Sequence, residues 1–270
     1  MKYISDSLFL PDTSLVDYLL MKPPVDNFSK QSAQYSLYRP RYPQALYEFL
    51  YSHISGKEAA WDCGTGNGQV AVELSRRMTH VWATDISENQ LKQAPAISNI
   101  TYIQTRAEQT DFPSNIFNLI TIAQAIHWFD FEKFYQEVYR TAKPDALVAA
   151  WGYGLLHIDP LLDPIIEAFY SDQIGNYWDS ERKYIDEAYQ TIPFPFKEIP
   201  TPRFAIEVNW NLPELEGYFN TWSSVQKYMA KHQHNPVTPF IEQLRVHWQS
   251  PTDRKTILFP VFMRAGRIVK

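Results

Sequence analysis

Ala59-Ala60-Trp61-Asp62-Cys63-Gly64-Thr65-Gly66-Asn67-Gly68 decides how this chain folds. Apolar residues run up to Asp62, three glycines follow at alternate positions, and Gln69-Val70-Ala71-Val72 resumes an apolar pattern. The stretch reads as a short buried strand that enters a glycine-rich turn and then a helix. Glycines in such a turn let the backbone approach a ligand closely. Asp85 follows Gly68 by 17 residues and lies just past a second strand. An acid at that place accepts hydrogen bonds from a ribose diol. Together the two features indicate a nucleoside-containing cofactor.

Outward from this stretch the rhythm is regular. Strands are expected at 58–63, 80–84, 100–104, 117–122 and 145–151, with helices at 67–77, 87–94 and 131–142. That alternation implies an α/β fold with a mostly parallel sheet, helices on both faces and right-handed crossovers. Upstream, helices are expected at 14–21 and within 28–38, and Pro43 opens another that runs to about Ser52. Beyond Gly154 the pattern loosens. Helices are expected at 161–169 and 181–189, a proline-rich segment at 191–202 and a strand at 203–208. A long helical stretch at 212–229 follows, then a turn at Pro236 and Pro239, a helix at 240–248 and a last strand at 257–262. The domain reading is a helical lead-in at 1–43, a core at 44–154 and 203–270, and cap insertions at 155–202 and 212–250.

Composition narrows the class. At 270 residues, 45% hydrophobic and 20% charged, the chain has the makeup of an ordinary globular protein. A net charge of -5 argues against nucleic acid or an acidic membrane as partner. The lone cysteine, Cys63, excludes an intramolecular disulfide and any cysteine-rich metal site. No apolar run is long enough to span a bilayer, and no basic segment leads into a hydrophobic one at the N-terminus. The expectation is a cytoplasmic enzyme, a monomer or weak homodimer, with no nucleic acid and no membrane as partner. Aromatic residues, 15% of the chain, favour a ring-lined pocket or cap.

The glycine spacing separates two cofactor classes. The third glycine of a dinucleotide fingerprint would fall at position 69, which is Gln69. Asp62 precedes the first glycine by two. A carboxylate there serves a pyrophosphate poorly and the ammonium of an amino acid well. Both details favour S-adenosyl-L-methionine over NAD. Asp85 then takes the ribose hydroxyls, Ile86 packs on adenine, Glu108 accepts from the adenine amino group, and Gln124 stands near the methionine end.

These residues resemble the class I S-adenosylmethionine-dependent methyltransferases. Within that family the chain looks like the small-molecule branch that holds the trans-aconitate methyltransferase-like, type 11 proteins. Asp62 to Gly68, Asp85-Ile86-Ser87 and Arg106-Ala107-Glu108 carry the core of the resemblance. Ala123 to Phe129 resembles the segment that follows the fourth strand and borders the transferred methyl. Phe28, Tyr35 and Tyr38 to Pro43 resemble the branch's lead-in, so the match covers about 28–152. Trp222-Ser223-Ser224-Val225 and the last strand also fit. The resemblance implies a Rossmann-like, seven-stranded sheet whose final strand runs antiparallel, with a helical lid. The candidate cofactor contacts are Asp62, Gly64, Thr65, Gly66, Gly68, Asp85, Ile86, Ala107, Glu108 and Gln124.

Methyl transfer from a sulfonium is an in-line displacement, so the protein's task is alignment and exclusion of water. No metal is needed, because the positive charge already activates the leaving group. His127 and Trp128 stand at the carboxyl end of the fourth strand, where open α/β sheets bind ligands. His127 is a general base if the acceptor carries a hydroxyl or protonated nitrogen, and an orienting group if it is a carboxylate. Trp128 and Phe129 wall the methyl channel, where a ring face attracts a sulfonium. Arg39, with Arg41 behind it, can clamp a carboxylate of the methionine portion or of an acidic acceptor. Tyr153, Trp178, Tyr218 and Trp222 are candidate walls for a small-molecule acceptor. His232 and His234 are too few to make a metal site. Alternative readings are a protein acceptor and an NAD-dependent oxidoreductase, the latter without a Tyr-x-x-x-Lys pair after the fourth strand.

Overall fold

The computed structural model describes residues 38–270. The helices expected at 14–21 and within 28–38 therefore fall outside the described residues, apart from Tyr38. Helix α1, Gln44–Ser52, starts one residue after Pro43, whose carbonyl accepts from the Leu46 amide. The alternation that follows is β1 (Ala59–Cys63), α2 (Gln69–Ser75), β2 (His80–Asp85), α3 (Glu88–Leu91), β3 (Ile100–Gln104), β4 (Phe117–Ala123), α4 (Phe131–Thr141) and β5 (Ala142–Tyr153).

These five strands run parallel in the order β3-β2-β1-β4-β5. Each inner strand shows its alternate side chains to opposite faces. Ala60, Leu119, Ala149 and Trp151 join α1 and α2 in one core, while Trp61, Ile120, Val148 and Ala150 meet α4 in the other. Helices thus cover both faces. The sheet reverses its winding direction between β1 and β4, which leaves a crevice at their carboxyl ends.

Beyond β5 the chain builds the cap and then returns to the sheet. The cap holds α5 (Asp163–Ala168), prolonged by a π turn over Phe169–Gln173, and α6 (Arg182–Asp186). β6 (Lys197–Ile199) and β7 (Phe204–Trp210) precede α7 (Leu212–Asn220), α8 (Ser223–His232) and α9 (Val237–Arg245). β8 (Lys255–Arg267) lies antiparallel to β5, with Leu147 opposite Arg267 and Tyr153 opposite Val261. The eight strands fill seven places. β6 and β7 share the outermost one, pairing with the two halves of β8 on either side of Pro200-Thr201-Pro202. Proline cannot donate to a ladder, so the edge strand breaks there.

Three stretches differ from the sequence reading. Residues 197–199, assigned to the cap, belong to the sheet. The long helix over 212–229 is two helices, split where Trp222 turns extended (ψ 132°) and buries its ring against Phe169, Trp178 and Phe219. Burial of a large aromatic outweighs the continuation of one helix. The helix expected at 240–248 begins at Val237, because Pro239 falls in its first turn, where no amide partner is required.

Candidate active site

The crevice between β1 and β4 widens into a cleft with about 1350 Å³ of empty space, counting the part open to solvent. Of the candidate cofactor residues, Asp62, Gly64, Thr65, Gly66, Asp85, Ile86, Ala107, Glu108 and Gln124 line it. Gly68 does not. Its role is internal: it caps α2 in the left-handed region (φ 83°), and a Cβ there would sit 2.6 Å from the Tyr102 hydroxyl oxygen.

Asp85 binds two loops together. Its Oδ2 accepts from the Gly66 amide at 2.8 Å and its Oδ1 from the Ser87 amide at 2.9 Å. The carboxylate is thereby held at the cleft wall, where it would face a ribose diol. Gly66 has φ 57°, and a Cβ added to it would meet only Gln90 Oε1, at 3.9 Å. The backbone is open to a ligand at that point.

Asp62 is buried at the floor, 1% exposed. Its Oδ2 accepts from Thr65 Oγ1 at 2.5 Å and its Oδ1 from Thr121 Oγ1 at 2.9 Å. Burial pushes its carboxyl up to about 6, against the pull of those two hydroxyls. Among the described residues it has no ion pair, so an incoming cation would meet an unpaired carboxyl. Glu108 is more fully engaged: Oε1 accepts from the Asp130 amide at 3.0 Å and Oε2 stands 3.3 Å from Arg106 Nε. It thus fixes the start of α4 as well as lining the cleft. The cleft walls hold three carboxylates and two guanidiniums, Arg39 and Arg106, the latter beside Glu108. It is therefore the surroundings of Asp62 and Asp85 that suit an ammonium and a diol better than a diphosphate. These features fit S-adenosylmethionine, whose ammonium would meet Asp62 and whose ribose would meet Asp85.

Gln124 ends β4 in the left-handed region (φ 54°), its amide bonded to the Trp151 carbonyl at 2.8 Å and its Nε2 to that of Tyr153 at 3.3 Å. Such a conformation costs roughly 1–3 kcal/mol and here turns the chain toward Ala125 to Phe129. Phe129 and Trp128 both border the cleft.

A second, smaller chamber of about 690 Å³, again counting the part open to solvent, adjoins the first. Arg39, Gln124, Trp128 and Tyr153 line both. Arg39 Nη1 donates to the Tyr153 hydroxyl at 2.5 Å, and its guanidinium lies 6.0 Å from the Tyr218 ring centre. Arg41 is exposed and lines neither space. Trp178, Tyr218 and Trp222 roof the chamber.

His127 belongs to the chamber rather than the cleft. It is buried, and its Nδ1 stands 3.0 Å from the Tyr189 hydroxyl. Ala188 and Tyr189 both take positive φ (50° and 60°), which ends the expected helix over 181–189 early and swings the Tyr189 ring onto Phe262. Burial holds the Tyr189 phenol well above the ordinary tyrosine range, so its proton stays. That hydroxyl and Nδ1 of His127 share a hydrogen bond whose donor is set by the tautomer of the ring.

Cys63 lies fully buried beneath the turn, its thiol pushed up by burial and kept protonated. His232 and His234 bond to Tyr177 and Tyr228 on the cap surface. Among the described residues no helix is long and apolar enough to cross a membrane.

The sequence reading missed Ser87 and Gln90 in the cleft and Tyr189 and Arg182 near or in the chamber. Ser87 was legible as a helix cap, since its Oγ accepts from the Gln90 amide. Nothing in the local sequence marks Tyr189 or Arg182.

A Rossmann-like sheet with an antiparallel last strand, and an acid-lined cleft at the β1/β4 switch point, define the class I S-adenosylmethionine-dependent methyltransferase fold. The methyltransferase domain model matches residues 61–150. A Dictyostelium discoideum protein named as a methyltransferase is 32% identical over 246 residues, 88% of this chain and 93% of its own. A solved structure from Anaeromyxobacter dehalogenans, described as a type II methyltransferase, superposes with a TM-score of 0.80 at 35% identity, covering 86% of this chain and 98% of that one. The ubiquinone/menaquinone biosynthesis C-methyltransferase of Psychromonas ingrahamii is 28% identical over 185 residues, 63% of this chain and 71% of its own. The chain belongs to the type 11 methyltransferase family of the class I S-adenosylmethionine-dependent superfamily.

Proposed function

We propose that this enzyme transfers the methyl group of S-adenosylmethionine to an oxygen of a small-molecule acceptor, with a carboxylate favoured over a hydroxyl. The observation that carries the small-molecule reading is the chamber. It is small, roofed by aromatic rings, and meets the cofactor cleft along Arg39, Gln124, Trp128 and Tyr153. A macromolecular acceptor would need an open approach to the same place.

When bound, the cofactor supplies an activated methyl on a sulfonium. The chain supplies placement. Asp62 holds the ammonium end, Asp85 the ribose, and Ile86 and Ala107 flank the base. Trp128 and Phe129 wall the passage between cleft and chamber, keeping water from the reacting line. Arg39, braced by Tyr153, adds positive charge at the junction and orients an acceptor oxyanion there.

A carboxylate acceptor matches the tautomer in which the Tyr189 hydroxyl donates to Nδ1 of His127, because the ring then presents Nε2–H rather than a basic nitrogen. It can then orient an oxyanion, and a carboxylate has no proton to lose. A hydroxyl acceptor would require the opposite tautomer, in which Nδ1–H donates to the Tyr189 oxygen. The test is incubation with methyl-labelled S-adenosylmethionine and a panel of small acids, alcohols and phenols, with products identified by mass. Methyl esters are the expected products. Label found only on polypeptides would overturn the reading.

A further inference from the structure

Arg182 opens α6 and lines the acceptor chamber but not the cofactor cleft. It is therefore set apart from Arg39, Gln124, Trp128 and Tyr153, the residues that line both spaces where they meet. Its guanidinium is fixed from three sides. Nε donates to the Tyr170 hydroxyl at 2.6 Å, and that hydroxyl donates to Asp186 Oδ1 at 2.6 Å. The Tyr170 and Trp178 rings lie 5.2 Å and 4.6 Å from its central carbon. Asp186 approaches on the Nε side, 3.5 Å away. Among the described residues neither terminal nitrogen of Arg182 makes a hydrogen bond.

The charges around it point the same way. The acid in the chamber lining is Asp179, and it is ion-paired with Lys227. Arg39 adds a second guanidinium across the chamber, and both arginines bear on the buried Tyr218 hydroxyl. A stacked guanidinium bonded through Nε presents its outer edge as a flat, pre-set fork of N–H donors. That fork matches a carboxylate in two parallel bonds, and aromatic walls strengthen such a pair by excluding water. Because the side chain is already immobilised, little rotamer freedom is lost on binding.

We propose that Arg182 is the specificity-determining residue for the acceptor, its outer guanidinium edge binding a carboxylate carried at the end of the molecule away from the methyl-receiving oxygen. This rests on the methyl-transfer reading above, since the chamber is an acceptor site only if the cleft holds the methyl donor.

The test is calorimetric titration of the protein loaded with S-adenosylhomocysteine, using monomethyl glutarate and its terminal amide, whose methyl ester fills the methyl-receiving end and which differ only in charge at the other end. The wild type should bind the acid at least about tenfold more tightly than the amide, the usual worth of a charge-assisted pair. In Arg182→Gln that ratio should fall to near one, and in Arg182→Lys it should be partly kept. S-adenosylhomocysteine affinity should stay within about twofold in both variants, which also reports that they are folded. Equal binding of acid and amide by the wild type, an acid preference that survives in Arg182→Gln, or no acid binding at millimolar concentration would each overturn the proposal. Failure of the wild type to take up S-adenosylhomocysteine, read before any acid is added, would instead remove the methyl-transfer reading on which it stands.

Discussion

Tyr189 and His127 lie 62 residues apart in the chain, yet the phenol oxygen and Nδ1 are 3.0 Å apart inside the protein. The pairing couples the tautomer of the imidazole to Tyr189, and that tautomer decides whether His127 orients or deprotonates. His127→Ala should lower kcat about 10- to 100-fold through misplacement of the acceptor. Turnover of the wild type on a carboxylate should stay flat above pH 6, because no proton is removed. A rate that rises through a histidine titration would show His127 acting as a base. Tyr189→Phe should release the tautomer, visible by nitrogen NMR of the ring, with cofactor affinity unchanged.

Asp85 offers a different kind of test, because it serves the fold and the ligand together. Replacing it with alanine removes the acceptor for the Gly66 and Ser87 amides as well as for a diol. Cofactor affinity should drop at least about 100-fold, at roughly 1.5–3 kcal/mol for each charge-assisted bond lost. Asp85→Asn keeps one oxygen and should lose less. Equal affinity in Asp85→Ala by calorimetry would remove the ribose assignment.

The buried carboxyl of Asp62 makes binding depend on pH. Its value in the folded chain is raised to about 6 by burial, against about 3.9 for an unperturbed aspartate. Without ligand, its contribution to stability is fully present below about pH 4 and lost as pH rises through 6. Ligand binding runs the other way, because an ammonium needs the ionised form. Affinity for S-adenosylhomocysteine should fall about tenfold from pH 7 to pH 5, and Asp62→Asn should flatten that slope. A wild-type affinity that does not change across this range would contradict the ammonium contact.

Two glycines in one turn should respond differently to alanine. Gly68→Ala places a Cβ 2.6 Å from the Tyr102 oxygen in a left-handed backbone, so it should cost about 1–3 kcal/mol of stability. Gly66→Ala meets open space, apart from the strain of its positive φ, and should depress cofactor affinity more than it lowers Tm. Thermal melts and calorimetry on the pair would separate a structural glycine from a ligand-facing one. The opposite ordering would reverse the two roles.

Much of the core was legible because its signals are local. The glycine turn, the acid after β2 and the period of strands and helices each follow from neighbours in sequence, and the five parallel strands lie where that period put them. The cap was less so. β6 is three residues long beside prolines, with Lys197 and Glu198 exposed, so it carries no apolar alternation to read. The break at Trp222 comes from the aromatic cluster it enters, not from a helix-stopping residue. Gly68 looked like its neighbours, and only its approach to Tyr102 on β3 reveals a different task. Arg182 and Tyr189 gain their meaning from partners brought by tertiary folding: Tyr170 and Trp178 for the one, His127 for the other.

The central claim is that the acid-lined cleft at the ends of β1 and β4 holds an adenosyl amino acid. Calorimetric titration of the wild-type protein with S-adenosylhomocysteine, alongside NAD, tests it most directly. Saturable one-to-one uptake of the homocysteine compound, with no heat from the dinucleotide, is the predicted result. Uptake of the dinucleotide alone would contradict the account.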